Sequence, residues 1–323
     1  MSRIIRGQAM VIALAAALAP AACAAAGPVP ADGMSAEKTV LDVGVLPIPD
    51  AAPLYIAGVK GFFLKEGLSV RPVVVQGGAT ALPRLESGAL DITMTNYVSA
   101  FLAAAAGEPI KVIADLYHSG PGAFLLMVPA GSPVRSPAGL KGRTVLVNNL
   151  RNIGTLAVSE TLRRAGLGAG DVTYVEKPFP DMAEALVAGQ GDAAWMTEPF
   201  ITAAKRRQGF RVLADTMTGE LADLPISGWM VTGEWAAAHP RALAGFRRAV
   251  AQAQRLAAGS RDEVMAVLPA YTAIGDVTAG QIALGRYPVK LEPAQLQRVA
   301  DLMLRQGYLR ERLDVRTVLA PGG

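Results

Sequence analysis

Short hydrophobic runs alternate with amphipathic segments along the chain after residue 38. The runs are rich in Val, Leu, Ile and Ala and are bounded by turn residues, which predicts β-strands. The predicted strands are Val40–Leu46, Val70–Val75, Asp91–Thr95, Lys111–Asp115, Ala123–Val128, Thr144–Val147, Val172–Glu176, Ala193–Met196, Arg211–Ala214 and Gly228–Thr232. Helices are predicted at residues 53–65, 80–87, 97–106, 154–165, 180–188, 199–207, 234–258, 261–269 and 293–306. Strands that alternate with helices in this way predict an α/β fold.

One helix–turn–strand unit occurs twice. Residues 85–91 read LESGALD and residues 186–192 read LVAGQGD, so leucine, glycine and aspartate keep the same spacing. Glycine suits the end of a helix because the chain there turns through positive φ. Each copy leads into an apolar strand and follows a strand–loop–helix unit. The repeat therefore predicts two equivalent lobes.

The N-terminal segment has the order of a secretory signal. Arg3 and Arg6 precede an uncharged run at residues 9–18, which is too short to span a bilayer because that requires roughly 20 apolar residues. We predict that residues 1–26 are a signal peptide and that residues 27–38 are a flexible tether. The protein is then expected in the periplasm or at the extracellular face of the cell membrane.

Cys23 is the one cysteine of the chain, and it follows the signal-like run. The stretch LAPAAC at residues 18–23 resembles a bacterial lipoprotein site, in which the leader ends before a cysteine that becomes acylated. Pro20 departs from that pattern, and ordinary cleavage after Ala22, Ala24 or Ala26 would leave the protein without a lipid. Lipidation of Cys23 and its absence both stay open, and neither leaves a disulfide in the mature chain.

Composition and charge argue against several classes of function. The net charge is +4, and the basic residues are scattered apart from short clusters at 205–207 and 247–248, which gives no basis for nucleic-acid binding. Two distant histidines and one leader cysteine leave little for a metal site or a thiol nucleophile. Zinc-protease, serine-hydrolase and phosphate-loop motifs are also missing from the sequence. We therefore predict a protein that is not an enzyme and holds no metal or cofactor.

Motifs spread over residues 40–255 resemble those of periplasmic binding proteins for nitrate, sulfonates, taurine and thiamine pyrimidines. They are APLYIA at 52–57, KGFFLKEGLSV at 60–70, the glycine pair 77–78, LKGRTV at 140–145, RRAGL at 163–167, ALVAGQGDAA at 185–194 and EPF at 198–200. The resemblance implies a type II periplasmic-binding fold with two lobes, a hinge and a central ligand cleft. Residues 39–120 and 234–323 would form lobe I and residues 121–233 lobe II. The hinge would lie near 119–122 and 232–234.

The same resemblance implies a function. The chain would be the extracytoplasmic solute-binding component of an ABC importer, a monomer that binds a small molecule and docks on a permease. The ligand could be sulfonate-, taurine- or nitrate-like, or pyrimidine-like. Two alternatives are a pyrimidine-synthase-like enzyme on the same fold, whose cysteine-rich motif is missing here, and a ligand sensor for a membrane partner.

Ligands of open α/β sheets bind beyond the carboxyl ends of the strands, which selects particular loops here. The candidate ligand-binding residues are Pro49, Asp50, Ala51, Gly77, Gly78, Asn96, Tyr97, His118, Arg151, Asn152, Gly154, Thr155, Trp195 and Glu198. The loops at 77–78 and 152–155 open helices, whose free N–H groups suit an anion or a carbonyl oxygen, although any strand–helix turn has the same form. Arg151 would be the charge partner of an anion.

The remaining candidates have a structural interpretation beside the functional one. Trp195 is either a wall of the cleft or a core residue, since tryptophan is mostly buried. Glu198 either accepts a hydrogen bond from a ligand N–H or favours a helix N-terminus. Asn96 and Tyr97 offer contacts to a ligand or a cap to the following helix. His118 either donates to a ligand or is satisfied within the protein.

Overall fold

Two five-stranded sheets form the framework of the computed structural model, which describes residues 37–274 and 281–321. The predicted signal peptide, Cys23 and most of the predicted tether lie outside these residues. The strands are β1 (Val40–Val45), β2 (Ser69–Val74), β3 (Ile92–Asn96), β4 (Ile110–His118), β5 (Phe124–Val128), β6 (Thr144–Val147), β7 (Thr173–Glu176), β8 (Ala193–Thr197), β9 (Arg211–Asp215) and β10 (Pro225–Thr232). Their positions agree with the predicted strands to within a few residues at each end.

The two sheets have the same arrangement. The first has the order β2-β1-β3-β10-β4 and the second β7-β6-β8-β5-β9. In each, three strands are parallel and a fourth runs antiparallel to the strands on both sides of it, β10 in the first sheet and β5 in the second. The carboxyl ends of the parallel strands lie at one edge of each sheet, where ligand sites of α/β proteins form.

Helices cover both sheets. They are α1 (Ala52–Val59), α2 (Phe62–Lys65), α3 (Gly78–Glu86), α4 (Tyr97–Ala105), α5 (Ile153–Arg164), α6 (Met182–Val187), α7 (Phe200–Gln208), α8 (Gly233–Ala238), α9 (Pro240–Gly259), α10 (Arg261–Val267) and α11 (Pro293–Arg305). Two segments predicted as single helices are each divided. Gly61, with φ of +70°, separates α1 from α2, and Pro240 starts α9 anew because proline fits the first turn of a helix.

The helix–turn–strand unit at residues 85–91 and 186–192 makes the same contacts in each sheet. Gly88 and Gly189 both turn the chain at φ of +74°. The carboxylate of Asp91 accepts a backbone N–H of β1 at 2.8 Å, and that of Asp192 accepts the first N–H of β6 at 3.0 Å. The shared spacing therefore reflects one requirement, a turn followed by a side-chain clamp onto the neighbouring strand.

β10 is the strand whose position differs from expectation. Residues 121–233 were expected to form one lobe, yet β10 pairs with β3 and β4 in the first sheet. Trp229 of β10 is buried and its ring lies edge-on against Phe246 of α9. The hydrophobic pattern identifies a strand but carries no information on its partner. We propose that the chain returns to the first lobe between Asp215 and Pro225.

Candidate functional site

A cavity of about 40 Å³ lies between the carboxyl ends of the parallel strands of the two sheets. From the first sheet and its loops it is lined by Leu46, Ile48, Asp50, Gly77, Gly78, Met94, Thr95, Asn96, Ile226 and Ser227. From the second it is lined by Phe124, Asn148, Ile153, Phe179 and Trp195. This volume accommodates on the order of one water molecule, so a solute must move the two sides apart in order to enter.

A second cavity of about 180 Å³ adjoins the first and shares Leu46, Ile48 and Phe179 with it. We call this second cavity the mouth. Its remaining lining comes from the ends of β1 and β2 on one side and from the segment around α6 and α7 on the other. These residues are Pro47, Val74, Val75, Gln76, Pro178, Pro180, Asp181 and Phe200. The mouth is therefore mainly apolar and carries one carboxylate.

Asp50 is the charged residue of the inner cavity, and its side chain is 1% exposed. The hydroxyl of Ser227 donates to Asp50 Oδ2 at 2.7 Å, whereas no described residue hydrogen-bonds Oδ1. Burial raises the pKa of the Asp50 carboxyl to about 7, and the hydrogen bond from Ser227 opposes that shift. An aspartate with a pKa near neutrality and one unpaired oxygen is unusual in a protein interior, where polar groups are normally paired.

Two tyrosine hydroxyls hold the loop that carries Asp50. Tyr287 donates to the carbonyl oxygen of Pro49 at 2.8 Å, and Tyr271 donates to that of Ile48 at 3.2 Å. Both tyrosines come from the C-terminal part of the chain, so distant residues fix the position of the carboxylate. The unpaired oxygen is therefore held in place by the fold.

Two more unpaired oxygens lie close to the cavity. Among the described residues, Thr95 Oγ1 and Asn149 Oδ1 have no hydrogen-bond partner. Asn149 Oδ1 lies 1.8 Å from the point that a Cβ on Gly77 would occupy, and Thr95 Oγ1 lies 2.1 Å from the corresponding point on Gly78. Gly77 is therefore required for close approach across the cavity and has φ of +153°, whereas Gly78 is required for close packing against Thr95 of the same sheet.

Aromatic rings form the wall of the cavity on the second sheet. Phe124 stacks on Trp195 with ring centroids 5.2 Å apart, and Phe179 lies tilted against Trp195 at 6.0 Å. The indole N–H of Trp195 donates to Thr216 Oγ1 at 3.0 Å. A Cβ on Gly154 would lie 2.6 Å from the indole ring. Trp195 is thus a buried core residue and part of the cavity wall at once.

The N-terminus of α5 is capped by its own residues. Asn152 Oδ1 accepts the backbone N–H groups of Gly154 at 2.9 Å and Thr155 at 3.3 Å, and Thr155 Oγ1 accepts that of Asn152 at 2.9 Å. Thr155 Oγ1 also accepts a hydrogen bond from the hydroxyl of Tyr308. The expectation that this loop offers free N–H groups to an anion is wrong for these amides, because a capping box already uses them.

Arg151 lies outside the cavity. Its side chain is exposed, its guanidinium donates to the carbonyl oxygen of Tyr308 at 3.3 Å, and its Cζ lies 5.7 Å from the centroid of the Tyr308 ring. Arg151 has φ of +50°, and Arg151 is not among the residues that line the cavity. The structure therefore does not place Arg151 as the charge partner of a ligand.

Replacing Arg151 with alanine should leave ligand recognition unchanged. We expect any compound that stabilises the wild-type protein against heat to stabilise Arg151→Ala equally, with affinities within about 2-fold, because a surface contact of this kind is worth little. Isothermal titration calorimetry of both proteins measures this. A loss of 10-fold or more would return Arg151 to the binding site.

Glu198 also makes its contacts inside the protein. Its carboxylate accepts the N–H and the hydroxyl of Thr202, at 3.1 and 2.8 Å, and the N–H of Ala283 at 3.4 Å. Burial raises the pKa of Glu198, and these hydrogen bonds oppose the shift. The side chain joins the start of α7 to the segment that begins at residue 281 and does not line the cavity.

His118 and Tyr97 belong to a buried cluster at the first sheet. His118 Nε2 lies 2.8 Å from Asp115 Oδ2, and the Tyr97 hydroxyl donates to Asp115 Oδ1 at 2.7 Å. Asn96 differs, since it caps α4 by accepting the N–H of Ser99 at 2.9 Å and also lines the cavity. Pro49 and Ala51 flank Asp50 and are buried. Five candidates are therefore brought together, namely Asp50, Gly77, Gly78, Asn96 and Trp195.

Several lining residues were missed. Thr95 and Asn148 lie at the carboxyl ends of β3 and β6, so the rule that selected their neighbours also points to them. Ser227 and Phe124 gave no such signal, because they lie on the antiparallel strands β10 and β5. Their presence at the cavity depends on strand order, which the sequence does not display.

Residues 37–274 and 281–321 lack two groupings that are typical of other functions. No cluster of three or more His, Cys, Asp or Glu side chains suited to a metal ion occurs there. None of the helices in the same residues is both long enough and apolar enough to cross a membrane.

Comparison with known proteins gave consistent results. Residues 48–263 match the family model described as NMT1/THI5 like. A protein of Escherichia coli K12 whose name refers to the binding of aliphatic sulfonates is 25% identical over 252 residues, covering 74% of this chain and 75% of the relative. The riboflavin-binding protein RibY of Chloroflexus aurantiacus is 27% identical over 173 residues, covering 52% of this chain and 48% of RibY.

Solved structures show the same architecture. The alkanesulfonate-binding protein SsuA from Xanthomonas axonopodis pv. citri, bound to MOPS, superposes with a TM-score of 0.73 at 20% identity, covering 88% of this chain and 99% of SsuA. The periplasmic nitrate-binding protein NrtA from Synechocystis PCC 6803 gives a TM-score of 0.75 at 18% identity, covering 87% of this chain and 85% of NrtA. At these identities the superpositions establish the fold.

Proposed function

The chain belongs to the NMT1/THI5-like family, and from that premise we propose that it is the extracytoplasmic solute-binding component of an ABC importer. The family resemblance and the α/β periplasmic-binding fold that were predicted from the sequence are confirmed. Relatives and structural neighbours are solute-binding proteins by name, which supports a solute-binding role. The observation that carries the proposal is the cavity between the carboxyl ends of two equivalent sheets, with a buried and unpaired carboxylate inside it.

The proposed mechanism is reversible capture with hinge closure. The chain passes between the sheets near Ser119 and returns near Leu224, and these two crossings are joined by a pair of hydrogen bonds of 2.8 Å. Bending at these adjacent segments would separate Gly77 from Asn149 and open the cavity to solvent. A solute that contacts both sides favours the closed form, and a permease that prefers that form would couple occupancy to import.

The lining of the cavity supports binding without covalent chemistry. Asp50 is the one titratable side chain among the described residues that line it. Cysteine, histidine and lysine do not occur among its described lining residues, and relatives and structural neighbours are named for the binding of solutes. Those names favour binding over the enzyme and sensor alternatives.

The cell-surface assignment rests on the leader and on the relatives. We propose that residues 1–26 are a signal peptide and that the protein acts as a monomer outside the cytoplasm. Lipidation of Cys23 stays an open alternative. Mass spectrometry of the mature N-terminus would distinguish a diacylated Cys23 from an unmodified chain cleaved elsewhere.

The function predicts that a bound solute stabilises the protein and is released unchanged. We expect purified protein to gain about 4 kcal/mol in its free energy of unfolding at a ligand concentration 1,000 times the dissociation constant. Thermal denaturation in the presence of fractionated metabolite extract measures this, and mass spectrometry identifies the solute before and after incubation. Conversion of the solute by the protein alone would contradict the proposal.

A further inference from the structure

The turn at residues 306–308, near the C-terminus, is fixed to the first sheet. Helix α11 ends at Arg305 and packs on α4 and on β10 of that sheet. The N–H of Tyr308 donates to the carbonyl oxygen of Met303 at 2.8 Å, and that of Gly307 donates to the carbonyl oxygen of Leu304 at 3.1 Å. Because these hydrogen bonds tie the turn to α11, it must move with the first sheet.

Helix α5 is fixed to the second sheet. It connects β6 to β7, and Gly154 at its start packs so closely on Trp195 of β8 that a Cβ there would lie 2.6 Å from the indole ring. Ile153, the first residue of α5, lines the inner cavity. A motion that draws α5 away from the first sheet therefore opens the cavity.

Two side chains of the turn bridge to α5. The hydroxyl of Tyr308 donates to Thr155 Oγ1 at 2.9 Å, and Gln306 Nε2 donates to Glu160 Oε2 at 3.4 Å. We call Gln306, Tyr308 and these two partners on α5 the clasp. Arg151 adds a longer and exposed contact to the carbonyl oxygen of Tyr308, at 3.3 Å. The clasp joins the two sheets at a place outside the cavity, since its four residues are not among those that line it.

Tyr308 is the donor in the shorter of the two bridges. Thr155 Oγ1 donates its own proton to the carbonyl oxygen of Asn152 at 2.9 Å, so it is an acceptor toward Tyr308. Burial raises the pKa of Tyr308, and hydrogen bonds with Thr155 and Ser159 oppose that shift. The phenol therefore keeps its proton at neutral pH, and the bridge persists there.

We propose that the clasp stabilises the closed arrangement of the two sheets and so sets the affinity for the solute from outside the cavity. Tyr308 is a positioning residue in this role, because it acts on the solute only through the position of α5. Contacts that favour the closed form raise the apparent affinity of every solute that binds this form, and they do so by the same factor. The inference rests on the proposed solute-binding function and adds residues that regulate it.

Hydrogen exchange of the protein without added solute tests the clasp. Gly77 and Gly78 are buried at the cavity, at the start of α3 where no side chain caps the helix, so their N–H groups should exchange when the cavity opens. Tyr308→Phe removes one hydrogen bond and should raise the open fraction, and with it the exchange rate at residues 76–80, by about 5-fold. Exchange in β5 should stay unchanged, because strands pair with it on both sides.

Tyr174→Phe is the matched control. The Tyr174 hydroxyl is hydrogen-bonded at 3.0 Å to Ser159 of the same helix α5, but Tyr174 lies on β7, so this bond stays on the side of the second sheet. Both tyrosines are half-buried. We expect Tyr174→Phe to leave exchange at residues 76–80 within about 2-fold of the wild type, while the two variants lower the midpoint of urea denaturation by similar amounts.

The outcomes separate this inference from the function on which it rests. Equal exchange rates at residues 76–80 in the two variants would overturn the clasp, and so would faster exchange of Tyr308→Phe in β5 as well, which is the mark of an ordinary structural contact. Solute binding would stand in either case. That function fails separately, if a fractionated metabolite extract does not shift the melting temperature of the wild-type protein.

Discussion

Replacing Asp50 with asparagine should make the unliganded protein more stable at pH 8. The pKa of Asp50 is raised by burial to about 7 from an ordinary 3.8, so ionising it in the folded protein costs on the order of 4 kcal/mol. Asparagine avoids that cost, but its buried amide is still incompletely hydrogen-bonded, and this destabilises the variant by roughly 1–3 kcal/mol. We expect the free energy of unfolding of Asp50→Asn to exceed that of the wild type by about 1–3 kcal/mol, and its melting temperature to be about 3–8 °C higher.

The pH dependence of the stability difference shows whether ionisation of Asp50 causes the gain. A raised pKa means that the stabilising contribution of protonated Asp50 is complete below about pH 3.8 and is lost as the pH rises to about 7. The titratable groups facing Asp50 are Tyr117, Tyr271 and Tyr287, whose pKa values burial raises, so they stay neutral throughout. The stability advantage of Asp50→Asn should therefore grow between pH 4 and 7 and stay constant above.

Asp115→Asn is the matched control and should have the opposite sign. Asp115 is also buried, but its oxygens accept from Tyr97, from the N–H of Leu116 and from His118. An amide has one acceptor oxygen in place of the two of a carboxylate, so it cannot accept all these hydrogen bonds. We therefore expect the free energy of unfolding to fall by about 2–3 kcal/mol. Urea denaturation of the three proteins at several pH values measures both effects. Destabilisation of both variants by equal amounts would show that Asp50 is an ordinary structural aspartate.

Gly285→Ala should be the most disruptive single-methyl change near the crossing segments. A Cβ at this position would lie 2.1 Å from the carbonyl oxygen of His118 and 2.9 Å from the Tyr117 ring. The backbone cannot easily retreat, because the neighbouring Arg286 exchanges two hydrogen bonds with His118, at 2.9 and 3.0 Å. Overpacking against backbone atoms should lower the free energy of unfolding by about 2–4 kcal/mol.

Gly58→Ala provides the comparison for that change. Gly58 is within α1, and a Cβ there would have no atom within 4 Å. Alanine should stabilise the helix by about 0.5–1 kcal/mol. Chemical denaturation resolves both variants from the wild type. A Gly285→Ala protein within 1 kcal/mol of the wild type would show that this segment adjusts more freely than its contacts indicate.

The fold could be predicted almost completely because local patterns specify it. Each strand is a short apolar run between turn residues, and the repeated glycine–aspartate spacing at residues 88–91 and 189–192 corresponds to one turn and one side-chain clamp. The place of β10 could not be predicted, since its composition is equally compatible with either sheet. Pairing is decided by the whole set of strands and not by any one of them.

The candidate site could be predicted only where loop position decides the outcome. Asp50, Gly77 and Gly78 follow parallel strands and lie at the cavity as expected. Arg151 and Glu198 satisfy the same rule, yet their side chains turn to partners within the protein. Side-chain direction depends on dihedral angles and on neighbours from distant segments, such as Tyr308 and Ala283. The local sequence indicates neither the dihedral angles nor these distant neighbours.

The position of β10 between β3 and β4 has a consequence for the order in which the chain folds. The first sheet cannot be completed until residues 225–232 have been synthesised, whereas all strands of the second sheet are available once residue 215 has appeared. As the exported chain emerges from its N-terminus, the inserted half can therefore reach its native pairing while β3 and β4 still lack β10 between them. The exposed edge of β4 in that interval makes the early N-terminal portion the part of the nascent chain most dependent on protection from aggregation.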